Sequence, residues 1–193
     1  VAVTLANHAR RQKRALILVS DDQRLPDPAP VMARLPAGTL VLLRHYGAAD
    51  RSAVARRLAL LARRQRQKLL VAGPDWRLAA AVGAAGVHLP DGIARQGVPA
   101  GLRLWLRTGR LLSVACHDRS GLARAARLGA DMALLSPVFP TASHPGAPSL
   151  GTYRFALWAQ AAGVPVVALG GVNAVSARGL RFCAGYAAID GLL

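Results

Sequence analysis

The chain has 193 residues, 53% of them hydrophobic, which allows one domain with a substantial core and excludes a mainly disordered protein. Lys and Arg total 25 against 9 Asp and Glu, a formal charge of +16 that attracts anions; without zinc-finger spacing, an aromatic single-strand platform or an arginine-rich tail, specific nucleic-acid binding is not expected. No apolar run reaches the length of a membrane span, the first residues have basic and apolar parts in the wrong order for a leader, and two cysteines cannot make a disulfide framework, so the expectation is a cytoplasmic protein without a membrane partner.

In chain order, Ala2 to Arg14 can form a short basic helix, and residues 15–20 (ALILVS) are an apolar run reaching Asp21 and Asp22. A proline-rich connection leads to a short helix near Val31 to Leu35. The second strand is Thr39 to Leu43, ending at Arg44-His45-Tyr46. Asp50 is placed to cap a helix from Arg51 to Gln67, whose apolar positions Val54, Leu58, Leu61 and Ala62 follow the 3–4 spacing while arginines take the other face. Lys68 to Ala72 is a strand, Gly73-Pro74-Asp75 a turn into a helix ending at Val82, and Gly86 to Leu89 a strand closed by Pro90-Asp91-Gly92. After a short helix near Ala100 to Arg107, Leu111 to Ala115 runs into Cys116-His117-Asp118, and a helix follows from Ser120 to Leu128. Ala133 to Leu135 is the next strand, Tyr153 to Ala162 a helix and Val164 to Leu169 a strand reaching Gly170-Gly171. Asn173 then caps a helix to Phe182, and Tyr186 to Ile189 is the last strand before Asp190.

These are eight apolar runs without strict alternation, separated mostly by helices. That composition suits parallel strands covered on both faces, and eight units favour a closed (β/α)8 TIM barrel in one domain spanning 1–193. The chain is shorter than the usual ~250 residues of that fold, and nothing after Ile189 has room for a further helix. The expectation is therefore a short barrel lacking the eighth helix, its outer wall covered in part by the amino-terminal helix. Chemistry is expected in the stretch from Ala133 to Gly151, where a buried strand ends in a long loop broken by Pro137, Pro140, Pro145, Gly146 and Pro148.

The pieces at residues 70–75 (LVAGPD), 85–89 (AGVHL), 114–117 (VACH), 135–141 (LSPVFPT), 145–146, 150–151 and 167–172 (VALGGV) resemble, in this order and at these distances, the thiamine-phosphate synthase family and its close relative, the thiazole tautomerase. The resemblance covers roughly Ala15 to Leu193 and implies the same barrel. In the synthase, a pyrimidine pyrophosphate loses pyrophosphate to a thiazole phosphate, with magnesium held by carboxylates after the third and fourth strands. Here the family's Asn-Asp pair after strand three falls on Gly73 and Pro74, with Asp75 one place later. Its second carboxylate falls on Ile93, with Asp91 two residues earlier. Magnesium is expected only under the synthase reading, with Asp75 and Asp91 the nearest candidate ligands. The Arg and Lys that grip pyrophosphate after strand two become Arg44 and Tyr46, and the basic residue of the loop after strand six becomes His144. These changes point away from a fully functional synthase.

The thiazole side survives better. The resemblance assigns phosphate or substrate contacts to Ser136, Thr141, Ser143 and His144, and to backbone N–H groups of Gly170 and Gly171. Asp190 stands where the family gives a serine hydroxyl to the phosphate, and it would repel a dianion unless Arg44 or another cation offsets it. His117 matches the residue that moves a proton in the tautomerase, a task suited to imidazole chemistry near neutral pH. The sequence thus supports a divergent family member that binds a thiazole phosphate or similar small heterocyclic phosphate, with His117 as a possible tautomerase group. The alternatives are an atypical thiamine-phosphate synthase and a non-catalytic phosphate-ester binding module. Oligomeric state is not legible.

Overall fold

Eight short strands close on themselves: β1 (Ala15–Val19), β2 (Leu40–Leu43), β3 (Lys68–Ala72), β4 (Gly86–Leu89), β5 (Leu111–Cys116), β6 (Met132–Leu135), β7 (Val166–Leu169) and β8 (Gly185–Ala188). All pairs are parallel and sequential, and β8 returns to β1 with Leu16 opposite Tyr186. These elements come from a computed structural model that describes residues 4–141, 146 and 148–192.

Strand residues divide alternately between two apolar clusters, as a pleated strand requires. Ile17, Val19, Leu40, Leu42, Leu70, Ala72, Leu134, Val167 and Ala187 fill the barrel, whereas Leu16, Leu18, Val41, Leu43, Val71, Val87, Val114, Leu135 and Ala168 face the helical layer. Both faces are dry, which explains why the strands read as continuous apolar runs.

The outer layer contains α1 (Leu5–Arg11), α2 (Ala29–Met32), α3 (Arg51–Arg64), α4 (Trp76–Ala81), α5 (Asp91–Gln96), α6 (Ala100–Leu106), α7 (Arg119–Arg127) and α8 (Gly151–Ala161). The expectation of a barrel one helix short is therefore corrected: eight α-helices accompany the eight strands among the described residues. The count is reached because β4 is followed by two helices, α5 and α6, and α1 precedes β1. α1 buries Leu5, Ala6 and Ala9, lays His8 against the ring of Tyr186 (centroids 5.6 Å apart), and its Ala6 N–H donates to the Leu192 carbonyl at 3.1 Å. It thereby covers the β1–β8 seam.

Aspartates set the start of three helices. Asp50 accepts the Ala53 N–H at 2.8 Å, Asp75 the Leu78 N–H at 3.0 Å and Asp118 the Gly121 N–H at 2.7 Å. Each bond satisfies a donor that the first helical turn leaves without an intrahelical partner. On α3 the fully covered positions are Ala55, Leu58, Ala59 and Ala62, with Val54 and Leu61 only partly buried. The core face is thus turned toward the alanines, small enough to bring the helix close to β3.

A second correction concerns the segment after β7. The helix expected from Asn173 to Phe182 is a single 3-10 turn, Ser176–Gly179. Asn173 is not its capping residue, which is Val175; the Asn173 Oδ1 instead closes the turn ahead of it, accepting the Val175 and Ser176 N–H groups at 2.9 and 3.0 Å. The chain then leaves through Leu180 in an extended conformation, and Phe182 lies at φ 55°, a left-handed value no helix continues through.

Candidate functional site

The carboxyl ends of the parallel strands gather the candidate residues on one rim, the end at which barrels of this kind carry their sites. After β2, His45 belongs to the frame. It is buried, with Nδ1 2.9 Å from the Ser20 hydroxyl and Nε2 donating to the Pro26 carbonyl at 3.0 Å. Arg44 is more open, its Nη1 3.9 Å from Asp21 Oδ2. Burial would raise the Asp21 carboxyl, but N–H groups of Arg24 and Gln23 and the charges of Arg44 and Arg24 hold it below the usual range. Beside Arg44, the Tyr46 ring carries the guanidinium of Arg51 at 5.5 Å, and Arg51 Nη2 donates to the carbonyl of Ala72 at the end of β3. Sequence reasoning passed over Arg51 as one of many arginines on α3; its place in the first turn after the β2 loop was the available signal.

The candidate metal ligands are otherwise employed. Asp75 is the α4 cap. Asp91 opens α5 and is gripped on both oxygens: Arg124 Nη2 reaches Oδ1 at 2.6 Å, while Arg95 Nε and Nη2 reach Oδ2 at 2.9 and 2.8 Å. Asp91 and Arg124 side chains are each only 15% exposed, so this is a largely desolvated cluster. Burial would raise the Asp91 pKa, but the two arginines outweigh it and keep the carboxylate ionised. Among the described residues no group of three His, Cys, Asp or Glu side chains could hold a metal ion. A cation needing several oxygen donors does not fit a carboxylate committed to two guanidiniums.

Inside the barrel, the β4–β5 register sets His88 opposite Ser113, and His88 Nδ1 lies 2.7 Å from the serine hydroxyl. Burial, aided by the charge of Arg44, drives the imidazole down to a pKa of about 3, so it is neutral in any ordinary buffer. Cys116 is no nucleophile: burial first, then the charge of Asp91, pushes its thiol up to about 12.

His117 and Ser136 meet at the ends of β5 and β6. His117 Nδ1 is 2.8 Å from the Ser136 carbonyl oxygen and 3.4 Å from its hydroxyl. A carbonyl can only accept, so Nδ1 carries a proton, and in the neutral ring the lone pair is on Nε2. Asp118 does not turn the ring aside, because its Oδ1 is taken by the Gly121 N–H and, at 2.7 Å, the Ser120 hydroxyl.

On the other side, the loop after β6 packs onto Gly170 and Gly171. Val138 N–H donates to Leu169 O, and Phe139 N–H to Gly170 O, each at 3.0 Å. A Cβ on Gly171 would stand 2.4 Å from the Pro140 carbonyl oxygen, and its φ is +64°. The pair is thus demanded by loop packing as well as by any ligand. Thr141 is at the edge of this loop, partly buried. Ser143 and His144 lie outside the described residues. Asp190 is met by Arg24, from the loop after β1, in a direct ion pair. The cation that offsets it is therefore Arg24 and not Arg44.

Two cavities of about 290 and 470 Å³ open at the opposite, amino-terminal end of the strands, lined in part by Arg63, Lys68, Arg103 and Arg110. Neither includes a candidate residue named from the sequence. His117, Gly170, Gly171 and Asp190 lie instead just beyond the carboxyl ends of β5, β7 and β8.

This is a closed, parallel eight-stranded barrel. A family model described as thiamine monophosphate synthase matches residues 16–191, and the chain belongs to that family. A thiamine-phosphate synthase of Myxococcus xanthus is 37% identical over 170 residues, 84% of this chain and 76% of that protein. One of Methylobacillus flagellatus is 38% identical over 118 residues, 61% of this chain and 54% of its own length. The chain spans about half the length of several curated relatives it matches. Among solved structures, a thiamine phosphate pyrophosphorylase from Pyrococcus furiosus superposes with a TM-score of 0.70 at 21% identity, covering 92% of this chain and 86% of that one. FabK from Thermotoga maritima gives 0.63 at 14%, covering 93% and 60%. These two likenesses concern the fold alone. No helix among the described residues is long and apolar enough to cross a membrane.

Proposed function

We propose that this chain is an atypical thiamine-phosphate synthase, binding a thiazole phosphate on the β6–β8 side of the rim and a pyrimidine pyrophosphate on the β2–β4 side. The observation that carries it is the extent of the family match, residues 16–191, which takes in all eight strand ends. In the reaction, the carbon–oxygen bond to pyrophosphate breaks, its electron pair leaving on the pyrophosphate, while a bond to the thiazole forms. The chain's task is to hold both partners in line and to meet the charge of the leaving group. Gly170 and Gly171 would offer backbone N–H groups to the thiazole phosphate, with Thr141 beside them. Arg24 neutralises Asp190, removing the repulsion that the aspartate would exert on a dianion. The family's magnesium does not fit Asp75 and Asp91 as they stand, so no step is assigned to it.

A second reading is favoured by one observation, the Nδ1–H bond from His117 to Ser136 that leaves Nε2 as a base. A group so held could shuttle a proton on a thiazole carboxylate phosphate. Purified protein should be offered both reactions. Thiamine phosphate formation supports the synthase reading; isomerised thiazole without coupling supports the tautomerase; tight binding without either product leaves a phosphate-ester binding module.

A further inference from the structure

Arginines of the rim fall into two groups. Arg24 is bound to Asp190, and Arg95 and Arg124 share Asp91. Arg51 has no carboxylate within ion-pair distance among the described residues, and Arg44 has only the distant Asp21 oxygen at 3.9 Å. Arg51 is nonetheless fixed. Its guanidinium lies 5.5 Å from the Tyr46 ring centroid, one Nη is bonded to the Ala72 carbonyl, and its Nε is buried with no partner. A buried, unsatisfied guanidinium nitrogen is costly, and a bound acceptor would relieve it. Arg44 precedes Tyr46 by two residues at the end of β2, Arg51 lies over the Tyr46 ring, and the positive charges of both act on its phenol. Partial desolvation still keeps that phenol above its ordinary pKa against their pull.

We propose that Arg44 and Arg51, the two guanidiniums next to Tyr46, form a subsite that binds the pyrophosphate group without a divalent cation. The proposal rests on the synthase reading and deepens it by naming the anion, the added residue and the absence of a metal requirement. Its logic is substitution of charge. Asp75, one place from an inherited ligand position, caps α4, and Asp91, two places from the other, is saturated by Arg95 and Arg124 and cannot also serve a metal. Tyr46 offers no charge at neutral pH where the family carries a lysine. α3 begins at Arg51, directly behind that position, and returns a cation from a different point on the backbone. A planar guanidinium suits this better than an ammonium, because it can stack on Tyr46 and still direct N–H groups at phosphate oxygens.

The test is calorimetric titration of the purified protein with inorganic pyrophosphate, first in excess EDTA and then in magnesium, with thiazole phosphate titrated separately. Pyrophosphate is expected to bind in EDTA with little gain from magnesium. Arg51→Met should weaken it by roughly 10-fold or more, the loss typical of a charge-assisted bond, and leave thiazole phosphate affinity within about 2-fold. Arg51→Lys, which keeps the charge and is the gentler change for folding, should fall between the two. Binding only with magnesium, or equal pyrophosphate affinity in parent, Met and Lys proteins, would overturn the proposal. Thiazole phosphate that fails to bind while pyrophosphate binds as expected would count against the synthase reading and leave the subsite standing.

Discussion

His88 offers a prediction that can be worked through from its surroundings. Its imidazole is buried in the barrel against Ser113, and burial with the Arg44 charge lowers its pKa from 6.5 to about 3. The unfolded chain therefore takes up a proton on this ring as pH falls through 6.5, while the folded chain does not until about pH 3. A proton bound only by the unfolded state pulls the equilibrium toward unfolding, so stability is complete above pH 6.5 and falls as pH drops below it. At pH 5 the difference is about 1.5 pH units, or about 2 kcal/mol from this one group. The shifted carboxylates Asp21, Asp27, Asp91 and Asp118 have a dependence of the same sign, but their lowered pKa values give stability that is lost only on falling below about 3.8, outside this window. His88→Asn keeps a polar group near Ser113 and removes the titrating ring. Urea denaturation at pH 7 and pH 5 should show the parent losing about 2 kcal/mol more than the variant between the two. An equal loss in both proteins would mean that His88 is not held neutral in the fold, and the barrel interior would need another account.

Other expectations follow from particular contacts. Arg124→Met should cost about 2 kcal/mol or more in urea denaturation, because Asp91 would remain largely buried with Arg95 alone. Asp75→Ala should cost about 1 kcal/mol through loss of the α4 cap, and calorimetry should show no change in magnesium affinity. Gly171→Ala forces a left-handed residue with a Cβ 2.4 Å from Pro140 O, so thermal unfolding should show a loss of about 1–3 kcal/mol and a displaced β6 loop should weaken thiazole phosphate binding. Cys116, with a thiol pushed up to about 12, should resist a thiol reagent at pH 8 until the protein is unfolded.

The strands were legible because each is a mainly apolar run between turn residues, and closure followed from counting them. α5 was hidden because Pro90-Asp91-Gly92 has turn composition. The helix is supported by contacts that its local propensity does not disclose: the i,i+4 pair to Arg95 and a bond to Arg124, 33 residues away. After β7 the error ran the other way, since Asn173, a good capping residue type, only closes a turn ahead of a short 3-10 turn, and Phe182 at φ 55° lets no helix continue. At the site, His117 and Ser136 were named through the family resemblance, and the structure sets them together just past the ends of consecutive strands. Arg24 was not, because its partner Asp190 lies 166 residues away and meets it only when β8 closes on β1. Arg51 was obscured by its composition: in a chain with 25 basic residues, one more arginine on a helix carries no signal until its neighbours are known.

The central claim is that the carboxyl rim, not the basic cavities at the other end, receives the phosphorylated substrate. Titration of thiazole phosphate into the ¹⁵N-labelled protein tests it directly, followed by amide shifts. The account predicts the largest changes at Thr141, Gly170, Gly171 and Gly191, with Gly109 and Gly129 at the base unmoved. Saturable shifts confined to Gly109, Gly129 and the Arg103–Arg110 stretch would contradict it.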